Sequence, residues 1–206
     1  MHIIDISIGI KENMITYPGD AKFKTKPVCT IAHSGCNMTK LVLGTHTGTH
    51  IDAPFHFLSH GASIDKIPLS VFIGKTQVIE IEEDKITADN LKSKIKSDIK
   101  RILFKTKNSN LLKKNQFCKN YTYLTEDGAH FIAKKGIKLV GIDYISIDRF
   151  GTPDFSVHKI LFEAQICILE GIYLAKVKPD YYTLIALPLK LNCLDGSPVR
   201  AVLIKE

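Results

Sequence analysis

The sequence His46-Thr-Gly-Thr-His50-Ile-Asp52-Ala-Pro54-Phe-His56 places three histidines and one aspartate at even positions within eleven residues. In an extended strand, side chains two residues apart point to the same side. A strand would therefore gather all four side chains at one spot, provided that the chain stays extended past Pro54. An α-helix would spread the same positions over about 160° of its circumference, and the proline would break its last turn. The pattern favours a strand.

The chemistry of these four side chains suits a divalent metal. Imidazole nitrogens and carboxylate oxygens on one face bind borderline metals such as zinc, and also manganese or iron. Small neighbours, including Gly48 and Ala53, leave room for a compact cluster. The alternative is an ordinary strand with polar-facing histidines, but four such groups in phase beside glycine and proline favour a metal or catalytic site.

Composition predicts an ordinary globular chain. Its 206 residues are 45% hydrophobic and 24% charged, which fits a single domain spanning residues 1–206. No apolar run approaches the roughly 20 residues of a membrane span, and the start of the chain lacks the pattern of a signal peptide. Five cysteines without a Cys-x-x-Cys pair are typical of free thiols in a reducing compartment, so we expect a cytoplasmic protein without a membrane partner.

The positive charge of the chain is local. The formal net charge is +7, whereas residues 92–119 alone carry ten Lys or Arg against one acid, Asp98. That segment contributes +9, so the rest of the chain sums to −2. We expect a solvated helix and loop here, with a polyanion-binding patch as the alternative. No nucleic-acid-reading motif accompanies the charge, so no nucleic-acid partner is expected.

The order of predicted elements indicates an α/β fold. The strand-helix-strand pattern over residues 101–143 is typical of an α/β unit, and the β-rich first 85 residues indicate a curved sheet. We therefore expect a mixed, partly barrel-like central sheet flanked by helices. A lysine-rich helix is predicted after Thr87, and a mobile surface loop at residues 108–120. Strands are predicted at residues 2–8, 27–33, 38–46, 74–81, 101–106, 137–143 and 166–172, and helices at 125–136 and 152–165.

Two acid–base residues in the second half of the chain are candidates for the same site. Glu170 lies in an apolar run, where a carboxylate is costly unless it is paired or binds a metal. His158 precedes it by twelve residues, a separation of about 40 Å along a straight strand, but a helix that turns back into a strand could bring the two together. Periodicity alone favours a histidine on a helix face and a solvent-facing glutamate. In the first half, Asp20 is either a site residue or part of a turn, and His60 is expected to be a solvated loop histidine.

These motifs together resemble one known family. The pattern His-x-Gly-Thr-His-x-Asp-Ala-Pro-x-His-Phe, preceded by Tyr17-Pro-Gly-Asp20 and followed by His158 and Glu170, resembles the cyclase family of metal-dependent hydrolases. Bacterial kynurenine formamidases and isatin hydrolase belong to it. The likeness runs almost end to end, through Asp5-Ile-Ser7, the segment 141–148 and the segment 184–189.

The resemblance implies a role for each of these residues. It implies that His46, His50 and Asp52 bind one metal, and that Asp52 bridges to a second metal. His158 and Glu170 would hold that second ion, and His56 would be the catalytic acid and base. Gln165 would be a ligand or a substrate contact, and Tyr17 would contact the substrate. The metal would be zinc or manganese, as one or two ions.

The resemblance also implies a fold, an activity and an assembly. The family fold is of the swivelling β/β/α type, assembled as a homodimer or homotetramer. The implied activity is that of an amidohydrolase with metal-activated water, most like an arylformamidase that converts N-formylkynurenine to kynurenine and formate in tryptophan catabolism. The alternatives are a lactam hydrolase like isatin hydrolase, another hydrolase of the family, or a non-catalytic metal- or ligand-binding protein. Tyr17 stands where the formamidases often carry tryptophan, which bears on the substrate.

Overall fold

A nine-stranded mixed sheet organises residues 1–114 and 116–205, which the computed structural model describes. The strands are β1 His2–Asp5, β2 Lys24–Cys29, β3 Met38–Val42, β4 His50–Asp52, β5 Ile73–Glu80, β6 Lys85–Ile86, β7 Arg101–Lys105, β8 Tyr123–Leu124, β9 Leu139–Ile142, β10 Cys167–Glu170, β11 Tyr181–Ile185, β12 Gly196–Pro198 and β13 Val202–Lys205. The α-helices are α1 Ile31–Ser34, α2 Ala88–Lys92, α3 Glu126–Ala133 and α4 Ser156–Glu163.

The main sheet has parallel strands at its centre and antiparallel strands at both sides. Its order is β1-β13-β11-β5-β7-β9-β10-β4-β12, and β5, β7, β9 and β10 run parallel. The sheet curls into a half-barrel, and β2 and β3 form a separate antiparallel hairpin. The expected α/β fold with a mixed, partly barrel-like sheet is confirmed.

Apolar side chains cover both faces of the parallel strands. Along β7, Ile102 and Phe104 pack into one hydrophobic core with α3 and α4, whereas Leu103 packs into a second core on the opposite face. Strands that are buried on both faces are typical of parallel sheets between two layers. This packing gives the strands that end at the site a rigid support.

Side-chain oxygens cap the amino ends of α3 and α4. The Thr125 hydroxyl accepts a hydrogen bond from the Gly128 amide at the start of α3. At the start of α4, the Asp148 carboxylate accepts from the amides of Val157 and His158 at 3.2 and 3.1 Å. Such caps satisfy amides that have no partner inside the helix. The cap on α4 also fixes the backbone of His158.

Several predicted elements are wrong in extent. Residues 46–56 are not one extended strand, because Gly48 adopts a φ of 74° and Pro54–His56 form a 3₁₀ turn. The lysine-rich helix after Thr87 ends at Lys92. The predicted strand 27–33 ends at Cys29, where the chain turns into α1.

The first two residues of the predicted loop 108–120 are not part of a solvated surface loop. Asn108 and Ser109 are buried, and the Asn108 side chain exchanges hydrogen bonds with the backbone of Thr122. These two residues anchor the segment on the fold, which a purely polar surface loop would not do. Asn115 lies outside the described residues.

None of the helices in the described part of the chain has the length and apolar character needed to cross a bilayer.

Candidate metal centre

Strand β4 carries the centre of the site. His50 and Asp52 are both buried and lie on the same side of this strand, as the alternation of the sequence predicts. The antiparallel register places Glu170 of β10 directly opposite His50. A histidine and a glutamate that are far apart in the sequence therefore become cross-strand neighbours.

Hydrogen bonds orient the His50 ring. Its Nδ1 lies 2.9 Å from the Gly48 carbonyl oxygen, and a carbonyl only accepts, so Nδ1 carries the proton. Nε2 lies 3.2 Å from Asp52 Oδ1 and 3.7 Å from Glu170 Oε2. Burial disfavours a charge on His50, but the charge and hydrogen bond of Asp52 raise its pKa, so a metal that binds Nε2 displaces a proton from it.

A hydrogen bond from Nδ1 also orients the His158 ring, so that its Nε2 faces Asp52 and Glu170. Its Nδ1 donates to the Asp148 carboxylate. Its Nε2 lies 3.5 Å from Asp52 Oδ2 and 3.4 Å from Glu170 Oε1. Histidines that bind metals commonly donate their second ring N–H to a carboxylate in this manner.

His46 reaches the cluster from the turn before β4. Its Nδ1 lies 2.7 Å from Asp52 Oδ1, and its Nε2 lies 2.7 Å from Asp195 Oδ2. Burial opposes a charge on this ring, but the charges and hydrogen bonds of Asp52 and Asp195 raise the pKa of His46 to about 9. His46 therefore holds a proton between two carboxylates at neutral pH, and metal binding must displace it.

The donor set fits a divalent metal. Two groups have all their ligand atoms within 4.8 Å of one another: His46, His50 and Asp52, and Asp52, His158 and Glu170. The two groups share Asp52. Two buried carboxylates surrounded by imidazoles would be costly without a cation to compensate them.

Protons take part of that compensating role in the metal-free chain. Burial would raise the pKa of Asp52, but the neighbouring charges of His50 and His46 hold it well below its usual range. Burial likewise disfavours a charged His158, but hydrogen bonds to Asp148, Asp52 and Glu170 hold its pKa well above the ordinary value. The backbone amide of Ile147 donates to Glu170 Oε1 at 2.7 Å.

His56 differs from the other histidines of the cluster in its protonation state. It ends the 3₁₀ turn, stacks on the His46 ring with 3.9 Å between centroids, and has its Nδ1 3.5 Å from Asp195 Oδ2. Burial lowers the pKa of His56 to about 4. The ring is therefore neutral at pH 7 and can accept a proton. A third group of metal-competent residues consists of His46, His56 and Asp195.

An aromatic pocket of about 250 Å³ opens onto the cluster. Phe57 and Phe155 stack in its wall with 4.8 Å between ring centroids, and Tyr17 lies 6.4 Å from the Phe155 ring. Tyr17 and Asp20, which the sequence indicated as possible site residues, both line the pocket. Flat aromatic walls around a polar cluster suit a small aromatic molecule with one polar group.

One predicted substrate contact does not reach this pocket. Gln165 adopts a φ of 56° just after α4, is exposed, and lines a separate cavity with Arg101 and Cys167. The turn that brings Glu170 toward His158 therefore directs Gln165 away from both, so the structure does not bring Gln165 together with the other predicted site residues. His60 is exposed and 3.8 Å from Glu163 Oε1, as expected of a loop histidine.

Two residues with clear roles were not assigned by sequence. Asp148 orients His158, and it lies in a segment that the family resemblance had already marked, although without a role. Asp195 reaches His46 because β12 pairs with β4, which sets Gly196 opposite Asp52. A Cβ at Gly196 would lie 2.7 Å from the Ile51 carbonyl oxygen, so only glycine fits this close approach. No sequence pattern near Asp195 predicts its contact with His46, because this contact depends on the pairing of β12 with β4.

Comparisons with known proteins place the chain among relatives with named activities. A kynurenine formamidase of Bacillus anthracis is 38% identical over 202 residues, which are 97% of this chain and 96% of the relative. A kynurenine formamidase of Bacillus cytotoxicus is 37% identical over the same coverage.

Solved structures agree with this placement. A potential metal-dependent hydrolase with cyclase activity matches with a TM-score of 0.86 and 32% identity, covering all of this chain and 98% of that one. Isatin hydrolase A from Labrenzia aggregata shares the fold, with a TM-score of 0.84 at 23% identity and coverage of 100% and 94%.

The family model described as "Putative cyclase" matches residues 4–149, which include β4 and the 3₁₀ turn of His56. With this match and the identity to the formamidases, the chain belongs to the Cyclase family.

Proposed function

We propose that this protein is a metal-dependent amidohydrolase that cleaves the N-formyl group from an aromatic substrate, with N-formylkynurenine as the substrate that fits best. The observation that carries the proposal is the pair of ligand groups joined by Asp52, with the neutral His56 ring beside them in an aromatic pocket. The 38% identity to kynurenine formamidase over nearly the whole chain supports this substrate.

Zinc is the proposed metal, as one or two ions, with manganese as the alternative. The residues that would hold it are His46, His50 and Asp52 in one group and Asp52, His158 and Glu170 in the other. Nitrogen and carboxylate ligands suit zinc, and carboxylates also suit manganese. When bound, the metal supplies the Lewis acidity that makes water a nucleophile near neutral pH and polarises the amide carbonyl.

His56 is the proposed proton carrier. Because its pKa is lowered to about 4, the ring is neutral at pH 7 and can take a proton from the attacking water. It then holds the proton next to the site where the amide nitrogen leaves as an amine. Asp195, whose Oδ2 lies 3.5 Å from His56 Nδ1, would steady the imidazolium that forms.

The aromatic wall would orient the substrate. The rings of Phe57 and Phe155 lie parallel enough to cover one side of a flat aromatic amide. Tyr17 packs edge-on against Phe117, with 5.4 Å between centroids, which holds its ring at the pocket. Burial raises the pKa of the Tyr17 hydroxyl, so it stays protonated and can donate a hydrogen bond to the substrate.

The same pocket favours a second candidate, the hydrolysis of a cyclic aromatic amide such as isatin. A bicyclic lactam is as flat as a formanilide and would present its carbonyl to the same residues. Isatin hydrolases share the fold. Both reactions break an amide C–N bond with the same metal and the same proton carrier, so only the substrate separates them.

A reconstitution screen tests the proposal. Protein freed of metal with a chelator is loaded with zinc or with manganese, and initial rates are measured with N-formylkynurenine and with isatin. We expect metal-dependent turnover of N-formylkynurenine with the higher kcat/KM. Faster cleavage of isatin would select the second candidate, and no turnover of either substrate by metal-loaded protein would refute both.

The assembly and location remain proposals as well. We propose a homodimer or homotetramer in the cytoplasm. Val28, Leu41 and Val42 expose about half of their surface or more on the β2–β3 hairpin, and exposed apolar side chains on a projecting hairpin support a contact between copies. Light scattering coupled to size-exclusion chromatography measures the molar mass of the protein in solution. A monomer at micromolar concentration would contradict this assembly.

A further inference from the structure

Two cysteines that are seven residues apart in the sequence meet at the end of the β2–β3 hairpin. The Cys29 Sγ lies 3.5 Å from the Cys36 Sγ. Cys29 is the last residue of β2, and Cys36 lies in the turn between α1 and β3. The spacing of the cysteines predicted free thiols without a partner, but closure of the hairpin brings these two into contact.

The backbone holds the two sulfur atoms together. Gly35 adopts a φ of 73°, and its amide donates to the Ile31 carbonyl at 3.0 Å, which turns the chain back toward β2. The Asn37 side chain accepts a hydrogen bond from the Ile31 amide, also at 3.0 Å. The ladder of β2 and β3 ends in the pair Cys29 and Met38, directly below this turn. The approach of the thiols is therefore built into the hairpin.

In the single chain, both thiols are open to a small reactant. Cys36 is exposed and Cys29 is partly exposed. A disulfide needs the sulfur atoms to approach by about 1.5 Å more, a small movement for a short turn at the end of a two-stranded hairpin. The two thiols are within hydrogen-bonding distance of each other, and this contact raises the pKa of the Cys29 thiol. The exposed Cys36 is the sulfur that meets an oxidant first.

We propose that Cys29 and Cys36 form a redox-active dithiol site, which a low-molecular-weight disulfide oxidises to an intramolecular disulfide. The Cys36 thiolate attacks one sulfur of the oxidant, whose S–S bond breaks and releases one thiol. The Cys29 thiolate then attacks the Cys36 sulfur of this mixed disulfide and displaces the second thiol. Two electrons pass to the oxidant, and the protons of the two cysteines end on the two released thiols.

The pair lies on an arm whose two strands lead to the candidate site. The pocket residues Tyr17 and Asp20 precede β2, and His46 follows β3. A covalent link at the far end fixes the tip of this arm without touching any residue of the metal cluster. In a reducing compartment the pair is open, and it closes when the thiol–disulfide balance becomes oxidising.

Thiol counting on the full chain tests the proposal. Purified, reduced protein is incubated with glutathione disulfide, and free thiols are counted after denaturation with Ellman's reagent. We expect the five thiols to fall to three with no glutathione retained. Peptide mass spectrometry should find the loss of two hydrogens within the segment that holds Cys29 and Cys36, because no Lys or Arg lies between them and trypsin leaves both cysteines in one peptide.

Single variants separate closure from simple surface oxidation. In Cys29→Ser, we expect Cys36 to keep a stable glutathione adduct, because the thiol that displaces glutathione is gone. The control Cys193→Ser removes an exposed cysteine from another loop and should still lose two thiols. An unchanged thiol count in the natural chain, a lasting adduct on Cys36, or a disulfide that links two chains on a non-reducing gel would each overturn the proposal.

Discussion

Replacing Asp148 by asparagine should weaken metal binding although Asp148 belongs to neither ligand group. One of its carboxylate oxygens accepts from the Val157 amide, and the other accepts from the His158 amide and from His158 Nδ1. All three partners are donors. An asparagine has one accepting oxygen and one donating NH₂ group, so at least one donor must lose its partner.

The size of the effect depends on which donor is lost. If the amide oxygen stays with His158, the buried Val157 amide faces an NH₂ group, and an unsatisfied buried donor costs about 1–3 kcal/mol. If the side chain flips, the NH₂ group faces Nδ1, and the ring adopts the tautomer whose proton sits on Nε2, the nitrogen that faces Asp52 and Glu170. Loss of such an orienting partner lowers metal affinity about 10- to 100-fold, which equals about 1.4–2.7 kcal/mol.

Competition with a chromophoric chelator measures this effect directly. The dissociation constant of zinc is determined for the natural chain, for Asp148→Asn, and for Asp154→Asn as the matched control. Asp154 is an exposed acid in the same connection to α4, so its replacement should leave the affinity unchanged. If Asp148→Asn binds zinc as tightly as the natural chain, the orienting role assigned to Asp148 is wrong.

Three further predictions concern the site. His56→Ala should keep its metal and lose about 100-fold or more of kcat, as expected for a general acid and base; full activity with metal analysis unchanged would contradict the role of His56. Because the pKa of His46 is raised from 6.5 to about 9, and those of His50 and His158 are raised as well, metal affinity should rise at least about tenfold per pH unit in this window as at least one proton is displaced. The metal-free chain should lose stability there, since the folded state binds the His46 proton more tightly than the unfolded state; calorimetry in two buffers of different ionisation enthalpy counts the displaced protons. Gly171→Ala should lower the free energy of unfolding by about 1–3 kcal/mol, because its Cβ would lie 2.3 Å from the Gly48 carbonyl oxygen at a φ of 67°; an unchanged denaturation midpoint would show that this close approach relaxes freely.

Local sequence patterns determined the elements and the chemistry. Alternation over three residues placed His50 and Asp52 on one face of β4, because the pleat of a strand repeats every two residues. The strand-helix-strand pattern over residues 101–143 indicated the α/β unit. The types of side chain in the motif were enough to indicate a divalent metal and the family, because ligand preference belongs to the side chain itself.

Long-range pairing determined which side chains meet. Glu170 faces His50 only through the register of β10 with β4, and Asp195 reaches His46 only through the register of β12 with β4. Periodicity contains no information about which strands become neighbours, and it therefore left Glu170 facing solvent.

Turns separated the remaining candidates. The left-handed conformation of Gly48 and the 3₁₀ turn of His56 bring His46 and His56 close to Asp52. A straight strand would have spread these histidines along its length. The turn after α4 sent Gln165 to another cavity. Each of these outcomes depends on backbone dihedral angles that tertiary packing selects from several allowed at the same residue, so only the folded chain could decide them.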